Sequence, residues 1–150
     1  MTTQTPNSLP TALDHLIARA AERAGGWIGF DRFMALALYA PGLGYYANSS
    51  AKFGHMPSSG SDFVTAPELT PMFGQTLAAQ VAEALEKTGT STVWEFGAGS
   101  GALAVQLLHA LDEMGCTDVR YRIVDLSGTL RERQQQALVR YADRVEWLNE

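Results

Sequence analysis

Apolar positions along this chain follow two periods, helical in its first half and mixed helical and strand-like in its second. Leu13, Leu16, Ile17, Ala20 and Ala24 recur at helical spacing, and Gly25-Gly26 ends the run. Trp27 to Tyr39 reads as a short apolar helix capped at or near Asp31, closed by Ala40-Pro41-Gly42-Leu43-Gly44-Tyr45-Tyr46. Thr65-Ala66-Pro67-Glu68 and Thr70-Pro71 each offer a hydroxyl cap followed by proline. A helix with Phe73, Leu77, Val81 and Leu85 on one stripe follows, and Thr88-Gly89-Thr90 stops it. The pattern then changes. Thr92 to Phe96 is a β-branched and aromatic run that breaks into Gly97-Ala98-Gly99-Ser100-Gly101, and Ala102 to Leu111 is helical again, with Leu103, Leu107 and Leu111 facing inward. Tyr121 to Asp125 reads as a second strand. Ser127 caps a helix whose Leu130, Gln134, Ala137, Leu138 and Tyr141 share a face, and Val145 to Leu148 opens a third strand. Strand, helix and strand in this order make a right-handed crossover and a parallel sheet, so the fold class is α/β and Rossmann-like.

The expected organisation is a helical amino-terminal extension over residues 1–66 and the first part of a nucleotide-binding domain over 67–150. Residues 1–9 are polar and expected to fray. Residues 48–61 are Ser/Gly-rich and expected to form a mobile surface loop, with a lid over a ligand as the functional alternative. His15 and His109 lie off the apolar stripes and read as solvated side chains, and His55 has no partner pattern around it. Tyr45 and Tyr46 either pack the helical extension or line a pocket. Two or three strands leave a parallel edge that is normally paired or covered, so the chain reads as the amino-terminal part of a longer protein or a domain cut from one.

Composition narrows the function. Apolar residues make up 46% of the 150 positions and charged residues 18%, enough to bury a core. The formal charge of -5 argues against sequence-independent nucleic-acid binding, which needs a basic face. The single Cys116 rules out an internal disulfide and a multi-cysteine zinc site, and no metal is expected. No apolar run approaches the ~18 residues of a membrane span. The first residues lack an apolar signal core, so a cytoplasmic location is expected.

The chemistry is concentrated at the glycine turn. Side chains at Gly97, Gly99 and Gly101 would obstruct a ligand or force strained φ values, and the helix that follows aims its amino end at whatever sits there. Gly97, Gly99 and Ala102 satisfy the dinucleotide pattern G-x-G-x-x-A. Gly97, Gly99 and Gly101 equally satisfy the G-x-G-x-G turn of S-adenosylmethionine (SAM) methyltransferases. Glu95 favours the second, because a carboxylate before the first glycine repels pyrophosphate but accepts a hydrogen bond from the ammonium end of SAM. Asp125, 24 positions beyond Gly101, stands where a ribose-binding carboxylate belongs in an open α/β sheet. The spacing leaves both cofactors open.

These pieces together resemble the MidA-like family of SAM-dependent methyltransferases, which includes the mitochondrial complex I assembly-factor arginine methyltransferase. The resemblance rests on Phe30 to Met34 with Ala37 to Tyr46, on Asp62 to Glu68 with Phe73-Gly74, on Trp94 to Gly101, and on Asp125-Leu126-Ser127 with Leu130 to Gln134. Two departures are visible. Residues 55–61 lengthen the loop before Asp62, and Asp125 stands where the family often has glutamate. The resemblance implies a class I SAM-methyltransferase sheet, incomplete in this chain, and SAM as cofactor. It implies a site of Glu95, Gly97, Ala98, Gly99, Gly101, Asp125 and Leu126, with Thr65, Pro67 and Glu68 closing over it. The implied reaction is in-line transfer of a methyl group to a protein arginine, with a respiratory complex I subunit as candidate partner. Glu68 is the one candidate for holding the acceptor guanidinium, and a loop-fixing role fits it equally. Two rivals stand beside this reading: an NAD-dependent oxidoreductase, and a non-catalytic assembly or scaffold protein that keeps the turn for structure.

Overall fold

The structure, a computed structural model, describes residues 11–48 and 64–148. The chain divides into two compact units, Met1–Asn48 and Ser49–Glu150. The loop expected over 48–61 lies outside the described residues from position 49 onward, as do Asp62 and Phe63.

The first unit is a helix pair. α1 spans Ala12–Arg23 and starts on a reciprocal cap: the Asp14 N–H donates to Thr11 Oγ1 at 3.2 Å, and the Thr11 N–H donates to Asp14 Oδ2 at 2.7 Å. α2 spans Phe30–Tyr39, with Gly29 as its cap residue. Asp31, expected at or near that cap, sits inside the first turn and caps nothing, because the extended backbone that precedes the helix belongs to Gly29. Tyr46 stacks on Tyr39 and meets Tyr45 edge-on, with ring centroids 5.8 Å and 4.9 Å apart. His15 is exposed.

In the second unit a short turn of helix, α3 (Ala66–Leu69), leads into α4 (Met72–Thr88). The Thr70 hydroxyl accepts from the Met72 N–H at 3.2 Å, and Gly89 closes α4 in the left-handed conformation. β1 (Thr92–Phe96), α5 (Ala102–Glu113), β2 (Arg120–Val124), α6 (Gly128–Ala137) and β3 (Val145–Leu148) follow. The three strands are parallel in the order β1-β2-β3, with Val93 opposite Tyr121, Glu95 opposite Ile123, and Tyr121 opposite Val145.

Strand alternation sorts the two faces of this sheet. Val93, Tyr121, Ile123, Val145 and Trp147 turn toward the helices and join the core of Ala78, Ala104, Leu107, Leu108, Leu111, Leu138 and Tyr141. Each fully buried Leu contributes roughly 1.5–3 kcal/mol by removal from water. On the other face Trp94 and Phe96 stack on each other, exposed, and Arg122 lies over Trp94 while paired with Glu146. α5 is buried on more than the expected stripe. Leu108 and Ala104 are fully covered and Leu103 only partly, because α5 is wedged between α4 and the sheet. Ala137, expected on the inward face of α6, is exposed because the helix ends there and the chain turns through a 3₁₀ segment, Val139–Tyr141.

Candidate cofactor site at the carboxyl end of the sheet

Gly97, Gly99 and Gly101 all take positive φ values of 72°, 56° and 86°. The Gly97 N–H still donates to the Val124 carbonyl at 2.9 Å, so the strand ladder runs to the edge of the turn. A Cβ at Gly97 would meet no protein atom within 4 Å, whereas one at Gly101 would lie 3.3 Å from the Gln134 Cα. The first glycine therefore keeps a space open. The last lets α6 seat against the turn, a packing role that its place in the motif does not reveal.

Thr65, Pro67, Glu68, Glu95, Gly97, Ala98 and Gly99 line one cavity of about 190 Å³, together with Ser100, Ala102 and Leu103. Seven of the ten expected site residues thus share a single wall. Gly101, Asp125 and Leu126 do not line it. Gly101 is buried toward Gln134, Asp125 lies one residue past the end of β2, and Leu126 is half-exposed next to it. The cavity is smaller than the ~300–1,000 Å³ usual for a cofactor pocket. Its size suits the amino-acid end of a cofactor whose remainder extends over the strand ends.

Glu95 is half-buried on the helix-covered face of β1, and its Oε2 accepts from the Tyr121 hydroxyl at 2.8 Å. Burial pushes the Glu95 carboxyl above the usual carboxylate range, the Tyr121 hydrogen bond opposes that shift, and the charge of Asp125 adds to it. Burial, then the charge of Glu95 and the hydrogen bond to it, hold the Tyr121 phenol far above its ordinary range, so it remains a donor. Asp125 is buried rather than solvated: Oδ1 accepts from the Ser127 N–H at 2.9 Å and Oδ2 from Gln134 Nε2 at 2.8 Å. The Ser127 hydroxyl in turn accepts from the Leu130 N–H, which caps α6.

The segment from Thr65 to Leu69 is fastened over the turn by two side chains of α5 and its approach. Ser100 Oγ donates to Glu68, and Gln106 Nε2 donates to the Pro67 carbonyl at 2.7 Å while its Oε1 accepts from the Gly74 N–H at 3.1 Å. Glu68 therefore fixes the loop to the glycine turn in this structure. Tyr121, Ser100, Gln106 and Gln134 had no place in the site read from sequence. Two signals point to them: Tyr121 shares the face of Glu95 on the neighbouring strand, and Gln134 is a polar residue on an otherwise apolar stripe.

None of the ten described residues around the cavity is basic. Arg131, on α6, donates to the backbone carbonyls of Asp125 and Leu148. The wall is acidic, with Glu95 and Glu68 on it and Asp125 within electrostatic reach. Such a wall attracts a cationic group and repels a pyrophosphate.

Residues 76–150 match a family model described as "Putative S-adenosyl-L-methionine-dependent methyltransferase". The chain is 32% identical over 125 residues to the mitochondrial protein arginine methyltransferase NDUFAF7 homologue of Caenorhabditis elegans, a match covering 81% of this chain and 29% of that protein. With human mitochondrial NDUFAF7 it shares 28% over 141 residues, covering 89% of this chain and 30% of that one. Among solved structures it is similar to a Burkholderia thailandensis protein bound to S-adenosyl-homocysteine, with a TM-score of 0.81 and 51% identity over 93% of this chain and 37% of the other. The chain spans about 30% of the length of the curated relatives it matches. Among the described residues no helix is long and apolar enough to cross a membrane.

Proposed function

The chain belongs to this family of S-adenosylmethionine-dependent methyltransferase-like proteins, and from that membership we propose that the carboxyl end of its sheet binds SAM and that the whole protein methylates a protein arginine. The observation that carries the reading is the acidic wall that Glu95 and Glu68 give to an open glycine turn, with no basic residue among its described lining residues. SAM brings a sulfonium and an ammonium to such a wall, whereas NAD brings a pyrophosphate.

The residues present fit the cofactor. Glu95, oriented by Tyr121, accepts from the ammonium of the methionine end. Gly97, Ala98 and Gly99 admit that end to the cavity, and Thr65, Pro67 and Glu68 exclude water from its far side. Gly101 sets the turn against α6. Asp125 keeps lone pairs beyond those used by Ser127 and Gln134 and accepts from the ribose hydroxyls, and Leu126 offers an apolar surface to the base. When bound, the cofactor supplies a methyl group on an already activated leaving group. The protein's share is alignment of an acceptor with it, for which proximity is the main lever. The arginine acceptor is supported by the mitochondrial relatives, which are protein arginine methyltransferases by name.

Calorimetric titration of the chain with SAM and separately with NAD tests this. Micromolar SAM binding with no NAD response is expected. NAD binding without SAM, or silence toward both, overturns it. Methylarginine found by mass spectrometry in protein incubated with the whole enzyme and SAM extends the test to the acceptor.

A further inference from the structure

Gln134 has no exposed surface, yet it lies on the apolar face of α6 between Leu130 and Leu138. Its carboxamide has two N–H donors and one acceptor oxygen, and each is engaged. Nε2 donates to the Gly99 carbonyl at 3.1 Å and to Asp125 Oδ2 at 2.8 Å, while Oε1 accepts from Trp147 Nε1 at 3.1 Å. The three partners belong to three places at the same end of the sheet: the turn after β1, the residue after β2, and β3 itself. One side chain spans them all.

We infer that Gln134 is a positioning residue of the cofactor site, fixing the distance and orientation of the Asp125 carboxylate relative to the glycine turn so that it meets a ribose diol. The inference rests on the reading of this end of the sheet as a SAM site. A methionine would fill the same volume at this buried position, so packing alone does not call for an amide here. The two donor hydrogens do. With Oδ1 of Asp125 held by the Ser127 N–H and Oδ2 by Gln134, the carboxylate has a single orientation, and its remaining lone pairs have a fixed direction. The near contact of Gly101 with the Gln134 backbone sets the amide at the right depth, since a Cβ at Gly101 would press on the Gln134 Cα from 3.3 Å. Trp147 then prevents the amide from rotating by occupying its oxygen.

The test reads ribose recognition separately from general stability. Dissociation constants are measured by calorimetry on the full chain for S-adenosyl-homocysteine and for its 2′,3′-dideoxy analogue. The wild type is expected to prefer the ribose form. In Gln134→Met, affinity for S-adenosyl-homocysteine should fall about tenfold, the loss of one hydrogen bond to a charged group, while affinity for the dideoxy analogue changes little, so the preference collapses. Equal loss for both ligands, or no loss for either, overturns the positioning role and leaves the SAM reading standing. A wild type that binds neither ligand overturns the SAM reading itself. Trp147→Phe keeps an aromatic side chain at this position and removes the hydrogen bond to Gln134 Oε1. It should lower the preference about threefold, and an unchanged preference there overturns the inference even if Gln134→Met does not fold.

Discussion

At the amino end of the sheet Arg120, Asp143, Arg144 and Glu146 line a cleft of about 370 Å³, larger than the 190 Å³ cavity at the carboxyl end. Between the two ends of the sheet, volume alone would favour that cleft. The arginines of that cleft are, however, already engaged within the protein. Arg144 forks onto Asp112 with two contacts of 2.8 Å and donates to the Thr117 carbonyl at 2.7 Å, and Arg120 donates to the Asp143 carbonyl at 2.6 Å. The hydrogen bond to Asp112 holds the Arg144 guanidinium above even its ordinary value. At the carboxyl end Glu95 and Asp125 are held by neutral donors, Tyr121 and Gln134, so their charge is oriented without being cancelled, and Glu68 accepts from Ser100. One end is a finished structural joint. The other sets the carboxylates of Glu95 and Asp125 beside an open turn, which suits a cationic ligand.

The strongest way to break this contrast is at Gly97. Gly97→Val puts a branched side chain at φ 72°, in space now empty of protein atoms. SAM affinity should fall about 100-fold, the equivalent of the ~3 kcal/mol at the upper end of overpacking costs, while far-UV circular dichroism shows a folded chain. The converse belongs to the amino end. Asp112→Ala should lower stability by about 2 kcal/mol in urea unfolding by releasing a charged hydrogen-bonded fork, with SAM affinity unchanged once the protein is folded. A change of affinity there would blur the distinction between the two ends.

Glu95 sharpens the comparison through pH. Its folded pKa is raised, so its contribution to stability is fully present below the unfolded carboxylate range and is lost as pH rises through the raised value. Glu95→Gln should therefore flatten the fall in Tm as pH rises above the ordinary carboxylate range, while lowering SAM affinity about tenfold. In the wild type SAM affinity should itself weaken as pH falls through the raised value, because the proton displaces the ammonium's partner. The smallest effect is expected on the open face. Arg122→Ala removes an exposed pair with Glu146 and should change stability by no more than about 0.5 kcal/mol.

Much of this molecule is legible in its sequence, for reasons that differ by region. The parallel sheet follows from two periods alternating around Gly97 to Gly101, and the helix stops at Gly25-Gly26 and Gly89 follow from the left-handed conformation those positions adopt. The acids Glu95 and Asp125 announce themselves by their places at strand ends. What a linear reading does not supply is the set of cross-element hydrogen bonds that orient them. Tyr121 reaches Glu95 only because parallel register brings Ile123 opposite Glu95, and Gln134 reaches Gly99, Asp125 and Trp147 only once α6 has folded back over the turn. The same holds for Asp31, whose capping role passes to Gly29 by backbone conformation alone.

The most direct test of the contrast between the two ends is a map of backbone amide chemical shifts as S-adenosyl-homocysteine is added to the chain. The account predicts that changes concentrate at Glu95, Gly97 to Gly101, Asp125 and Leu126, with Thr65 to Glu68 following, while Arg120, Asp143 and Arg144 keep their positions. Shifts centred on the amino-end cleft, or a spectrum that does not respond, would contradict it.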